Sequence, residues 1–76
     1  MELKVFIKNL ANQFDDADLD KIKGETNFRD IEGYSSLIAL SIIAMVDEEY
    51  NVRLKGDDIR NSKTIEDLFN VVKSRI

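Results

Sequence analysis

The chain has 76 residues, of which 43% are hydrophobic and 34% are charged, and its formal net charge is −4. It contains no His, Cys or Trp, which excludes an imidazole base, a thiol nucleophile, a disulfide and a thiolate or imidazole metal ligand. Its size predicts a single domain over residues 1–76, and its acidic surface repels phosphates, so no nucleic-acid partner is expected.

The first predicted element is a helix over about residues 2–14, because apolar residues recur on one helical face. That stripe consists of Leu3, Ile7, Leu10 and Phe14. The start of the chain interleaves charged and apolar residues, unlike a signal peptide, so a soluble, cytoplasmic protein is expected. The acidic run 15–20 then ends the helix, since Asp favours turns over helix interiors.

Residues 15–34 show no sustained period and include Gly24 and Gly33, which predicts a long connection. Its candidate core anchors are Leu19, Ile22, Phe28 and Ile31. A connection of this length is unusual in a small domain. We expect it to lie across the bundle and to end beside the second helix.

The second helix is predicted from about Ser36 to Glu49 or Tyr50, with Ser35 or Ser36 as its N-cap. The predicted core face consists of Ala39, Ile42, Ile43, Val46 and Tyr50. The remaining apolar residues exceed what one stripe can bury: Leu37, Ile38, Leu40, Ala44 and Met45. The helix is therefore buried on two sides, or part of it is exposed for a partner or ligand. Its apolar stretch 37–46 is far shorter than the roughly 20 residues that span a bilayer, so no membrane span is expected.

A turn is predicted over residues 51–56, followed by one short helical turn over residues 57–60. The turn's inward anchors are Val52 and Leu54. The last helix is predicted to open at Thr64, which with Asp67 approximates a capping box. Its apolar stripe consists of Ile65, Leu68, Phe69, Val72 and Ile76. The predicted fold class is all-α: a small bundle of three main helices plus one short helix, with a long loop between helices one and two.

Four blocks of the sequence resemble acyl carrier proteins and related phosphopantetheine-binding carrier domains. In chain order and without insertion or deletion they are Phe28, Gly33-Tyr34-Ser35-Ser36-Leu37, Asp47-Glu48-Glu49-Tyr50 and Thr64-Ile65. The resemblance implies an acyl-carrier-like bundle with a 4′-phosphopantetheine, derived from coenzyme A, joined through a phosphodiester to the motif serine. The terminal thiol of that arm carries fatty acyl, ketide or aminoacyl intermediates as thioesters. By its position in the motif, the attachment residue is Ser36.

The resemblance also implies a non-catalytic protein that works through partners. These are a phosphopantetheinyl transferase and acyl-loading, condensing or acyl-transfer enzymes of fatty-acid, polyketide or related biosynthesis, with basic docking patches. The residues expected to contact them are Ser35, Leu37, Leu40, Ala44, Asp47 and Glu48. Ordinary core packing of the apolar members and solvation of the acids are the alternatives. A monomer is expected.

The sequence departs from the family pattern at three places. Ser35 stands where modifying enzymes usually read an aspartate, Ile38 and Ser41 replace early acids of the second helix, and Lys55 replaces a proline. These departures favour a specialised carrier. The alternative is a carrier-fold interaction module that has lost modification, in which Ser36 is only a helix cap. A stand-alone enzyme fits poorly, because the chain lacks the usual catalytic residue types.

Overall fold

The computed structural model describes residues Met1–Ile76 and contains four α-helices and no strand. The helices are α1 (Leu3–Ala11), α2 (Ser36–Tyr50), α3 (Gly56–Asn61) and α4 (Ile65–Ser74). Two 3-10 turns, Leu19–Lys21 and Phe28–Asp30, lie in the connection between α1 and α2. The predicted all-α architecture is confirmed, and no helix has the length and apolar character needed to cross a membrane.

Helix α1 ends at Ala11, earlier than predicted, and its buried face is rotated from the predicted stripe. Phe6 and Leu10 are fully buried, whereas Leu3 and Ile7 are only half-buried. The rotation follows from the size of the Phe6 ring, which packs against the Phe69 ring with 5.6 Å between ring centres. Burying this ring removes more apolar surface from water than burying Leu3 would.

Three of the four predicted anchors of the connection pack against the core. Phe28 and Ile22 are buried and Ile31 is half-buried. The prediction for Leu19 is wrong, since this side chain is 46% exposed. Leu19 begins a 3-10 turn and lines an open groove beside α1, where no other element packs over its side chain.

The connection also completes the start of α4, as expected of a segment lying across the bundle. The amides of Ile65 and Glu66 donate to the carbonyls of Thr26 and Gly24, at 3.1 and 2.8 Å. Main-chain groups of the connection thus satisfy donors that every helix start leaves unpaired. The fixed connection then delivers residues 33–36 to the start of α2.

Helix α2 buries Ile42 and Val46 as predicted. It also buries Met45, which was not predicted to lie on the core face. Met45 borders a groove shared with α1 residues, so the approach of α1 covers it. Ala39, Ile43 and Tyr50 are only half-buried.

Helix α4 begins with the predicted capping box. Thr64 Oγ1 accepts from the Asp67 amide at 3.0 Å, and Asp67 Oδ2 accepts from the Thr64 amide at 3.1 Å. The predicted apolar stripe is buried from Ile65 to Val72, but Ile76 is 71% exposed. The prediction for Ile76 is wrong because the helix ends at Ser74.

Helix α3 is short, has one buried residue, Ile59, and is held to the rest of the molecule by two arginines. Arg29 of the connection donates to the carbonyls of Ile59 and Ser62, at 2.7 and 2.8 Å. Arg75 donates twice to the Asp58 carboxylate, at 2.6 and 2.9 Å. These polar contacts fix the position of α3 beside the start of α2.

Candidate functional site

The turn before α2 is shaped by Gly33 and anchored by Tyr34. Gly33 has a φ of +94°, a conformation that side-chain-bearing residues rarely adopt. A Cβ at Gly33 would meet no atom within 4 Å, so the backbone angle and not lack of space requires glycine. The Tyr34 ring lies 6.5 Å from that of Phe14 and 6.0 Å from that of Phe28. With Tyr34 turned towards the core, the following two serines face solvent.

The two adjacent serines have different roles in the local structure. Ser35 has extended backbone angles and is the N-cap of α2, and its Oγ accepts from the Ile38 amide at 3.4 Å. Ser36 is the first residue of the helix, is exposed, and its hydroxyl makes no hydrogen bond with the protein. The sequence allowed either serine as the helix cap, and the structure shows that it is Ser35. The Ser36 hydroxyl has no hydrogen-bond partner in the protein.

The start of α2 fits a phosphate on that hydroxyl. The amides of Ser36 and Leu37 donate to no protein atom. Unpaired amides at the positive end of a helix dipole bind anions, and α2 is the longest helix of the structure with 15 residues. These amides and the Ser36 hydroxyl are the groups that would hold a phosphodiester.

A shallow groove of about 420 Å³ adjoins Ser36 between α2 and α3. Its lining residues are Tyr34, Ser36, Ala39, Leu40, Ile43, Gly56, Ile59 and Arg60. The only charged side chain among them is Arg60, which pairs with Asp57. No general base lines the groove, so the chain has no group there to activate Ser36 as a nucleophile.

The six predicted partner-contacting residues are all exposed: Ser35, Leu37, Leu40, Ala44, Asp47 and Glu48. Leu37 and Leu40 are 72% and 63% exposed. Of the two explanations for the excess apolar residues of α2, burial on two sides or partial exposure, exposure therefore applies at these two positions. Leu40 borders the groove beside Ser36. Ala44 and Glu48 border a different, mostly polar groove of about 340 Å³ between α1 and α2.

Sequence reasoning missed the contribution of α3 to the site. Ile59 and Arg60 form the wall of the groove opposite α2. Arg29, whose hydrogen bonds reach the end of α3, was likewise not singled out. Both omissions concern residues that are far apart in the sequence, for which helical periodicity carries no signal.

A helical bundle that presents an unengaged serine at a helix start, beside an apolar groove and without a catalytic base, has the features of a covalent carrier domain. Comparison with protein families agrees: a family model described as a phosphopantetheine attachment site matches residues 5–72. The chain belongs to this family, the acyl carrier proteins and related carrier domains. It is also similar to an acyl carrier protein of Bdellovibrio bacteriovorus, with 28% identity over 58 residues that cover 76% of this chain and 74% of that protein.

Proposed function

We propose that residues 1–76 form one carrier domain whose Ser36 hydroxyl takes a 4′-phosphopantetheine arm. The single observation that carries the choice of residue is the division of roles between the serines. Ser35 Oγ is engaged as the helix cap, whereas Ser36 Oγ is exposed and unbonded next to two unpaired amides.

The chain's own residues bind and orient, and do not catalyse. The Ser36 hydroxyl would lose its proton to a base, and its oxygen would bond to the phosphorus of the pantetheine phosphate as the pyrophosphate bond of coenzyme A breaks and adenosine 3′,5′-bisphosphate leaves. The amides of Ser36 and Leu37 would hold the resulting phosphodiester. A phosphopantetheinyl transferase must supply the base, since none lies beside Ser36. The arm, when attached, would supply the thiol that the sequence itself lacks, for carrying acyl groups as thioesters.

The groove beside Ser36 supports an apolar cargo. Its walls are mainly aliphatic and aromatic, with Ile43 and Ile59 on opposite sides. Burying a charged aminoacyl group there would be unfavourable because the charge would lose its hydration, whereas burying an alkyl chain would be favourable. We therefore favour fatty acyl or ketide intermediates, and partner enzymes of fatty-acid or polyketide biosynthesis, over aminoacyl carriage.

The exposed side of α2 is the proposed docking surface for these enzymes. Leu37 and Leu40 lie next to the proposed attachment site, and Asp47 and Glu48 lie at the other end of the helix. A partner with a basic patch and an apolar contact would complement both ends. A cytoplasmic location and a monomeric state stay predictions from the sequence.

The test is modification with coenzyme A and a broad-specificity phosphopantetheinyl transferase, followed by intact and tandem mass spectrometry. One arm should be added, on Ser36. Ser36→Ala should accept none, and the matched control Ser35→Ala should still accept one. An arm located on Ser35, or added to Ser36→Ala, would contradict the assignment.

The second candidate, an unmodified interaction module, rests on Ser35 in the place of the family's aspartate. Ser35→Asp separates the two, because Asp caps helices about as well as Ser and leaves the fold intact. We expect the wild type to be modified and Ser35→Asp to be modified faster. Modification of Ser35→Asp alone would favour the interaction module.

A further inference from the structure

A third groove, away from Ser36, is lined by side chains whose charge is opposite to that of the protein as a whole. It has a volume of about 350 Å³ and lies between α1 and the connection. Its lining residues are Lys4, Ile7, Lys8, Leu19, Ile22, Lys23 and Gly24. Three of these are lysines and none is acidic, in a chain with 15 acidic and 11 basic residues.

The three lysines approach the groove from two sides. Lys4 and Lys8 are one helical turn apart on α1, and Lys23 lies on the connection opposite them. None forms a salt bridge, since both ion pairs of the structure are made by arginines. The nearby Glu66 carboxylate reaches Gly24 from α4 but does not line the groove. No carboxylate of the protein therefore lies within ion-pairing distance of the three lysines.

The groove also has an apolar floor. Ile22 is buried, Ile7 is half-buried, and Leu19 is 46% exposed. The Leu19 turn is held in place by its cap, in which Asp18 Oδ1 accepts from the Asp20 amide at 3.1 Å. An apolar side chain from a partner would thus find a preformed surface between the lysines.

We propose that this groove docks an acidic segment of a partner protein, whose carboxylates meet the three lysines and whose apolar side chain packs on Leu19. The proposed occupant is an acidic segment because its carboxylates are complementary in charge to the three lysines of the groove. The groove shares no lining residue with the one beside Ser36, so a partner held here leaves the Ser36 hydroxyl accessible.

The test is an NMR titration of isotope-labelled protein with a short synthetic peptide of glutamates around a central leucine, at low salt. Shifts should concentrate at Lys4, Lys8, Leu19 and Lys23. The reversal Lys4→Glu, Lys8→Glu, Lys23→Glu should weaken binding about tenfold or more, and replacing the peptide leucine by alanine should weaken it as well.

The matched control is a second triple reversal of exposed lysines outside the groove, at Lys55, Lys63 and Lys73. It makes the same change in net charge and should weaken binding far less. Equal weakening by both triples would overturn the proposal, because net charge alone would then explain binding. So would shifts located elsewhere, or binding to vesicles of anionic phospholipid but not to the peptide.

Discussion

Replacing Arg29 tests whether polar contacts hold α3 in place. The Arg29 guanidinium donates to the Ile59 and Ser62 carbonyls at 2.7 and 2.8 Å and lies 5.1 Å from the centre of the Phe28 ring. Arg29→Met keeps much of the aliphatic stem but removes both hydrogen bonds. The end of α3 then loses its only side-chain partner from the connection.

The expected loss follows from these contacts. A hydrogen bond to a charged group contributes about 1.5–3 kcal/mol, and the half-buried site lets water replace part of it. We expect a total of about 2 kcal/mol, against a typical stability of about 4–11 kcal/mol for a chain of 76 residues. The midpoint of thermal unfolding should fall by about 8–16 °C. The unfolding midpoint of Arg29→Lys should lie between those of the wild type and Arg29→Met, because a single ammonium group cannot reach both carbonyls as the forked guanidinium does.

The assay is thermal unfolding followed by circular dichroism, together with hydrogen exchange of the α3 amides. Arg53→Met is the matched control, because Arg53 is exposed and its side chain makes no hydrogen bond or ion pair. Exchange in Arg29→Met should accelerate most in α3. If Arg29→Met unfolds at the same temperature as Arg53→Met, the hydrogen bonds of Arg29 do not hold α3 and the reasoning is refuted.

Three further predictions concern the turn before α2, the acid stability and the docking surface. Gly33→Ala should lower the free energy of unfolding by about 1–2 kcal/mol, because alanine is strained at the φ of +94° found at this position. Chemical denaturation measures this change, and an unchanged free energy of unfolding would contradict the prediction. The Arg75 guanidinium lowers the pKa of the Asp58 carboxyl below its ordinary 3.8. The stability from that carboxylate is therefore present above about pH 4 and lost as pH falls through the lowered pKa, so unfolding curves of Arg75→Met should depend less on pH there. Asp47→Lys with Glu48→Lys should slow modification or acyl loading several-fold at low salt and less at high salt, with helical content unchanged; equal kinetics at low salt would exclude electrostatic docking at this end.

Local features of the sequence were enough to predict the helices and the proposed attachment residue. Helical periodicity and caps depend on residues three or four positions apart, so the Thr64 capping box and the span of α2 are readable without a fold. The spacing of the blocks around Ser36 likewise led to the family that comparison with known proteins then confirmed.

Tertiary contacts decided which faces are buried and what surrounds Ser36. Phe6 is buried where the sequence predicted burial of Leu3 and Ile7, and Leu19 is exposed. Burial of a side chain depends on which other elements of the fold pack against it. The structure was needed to choose between Ser35 and Ser36 as the cap, since the sequence allows either serine, and to place α3 as the second wall of the groove. Arg29 shows the reason: its partners lie 30 and 33 residues away, and only the folded chain brings them within hydrogen-bond distance.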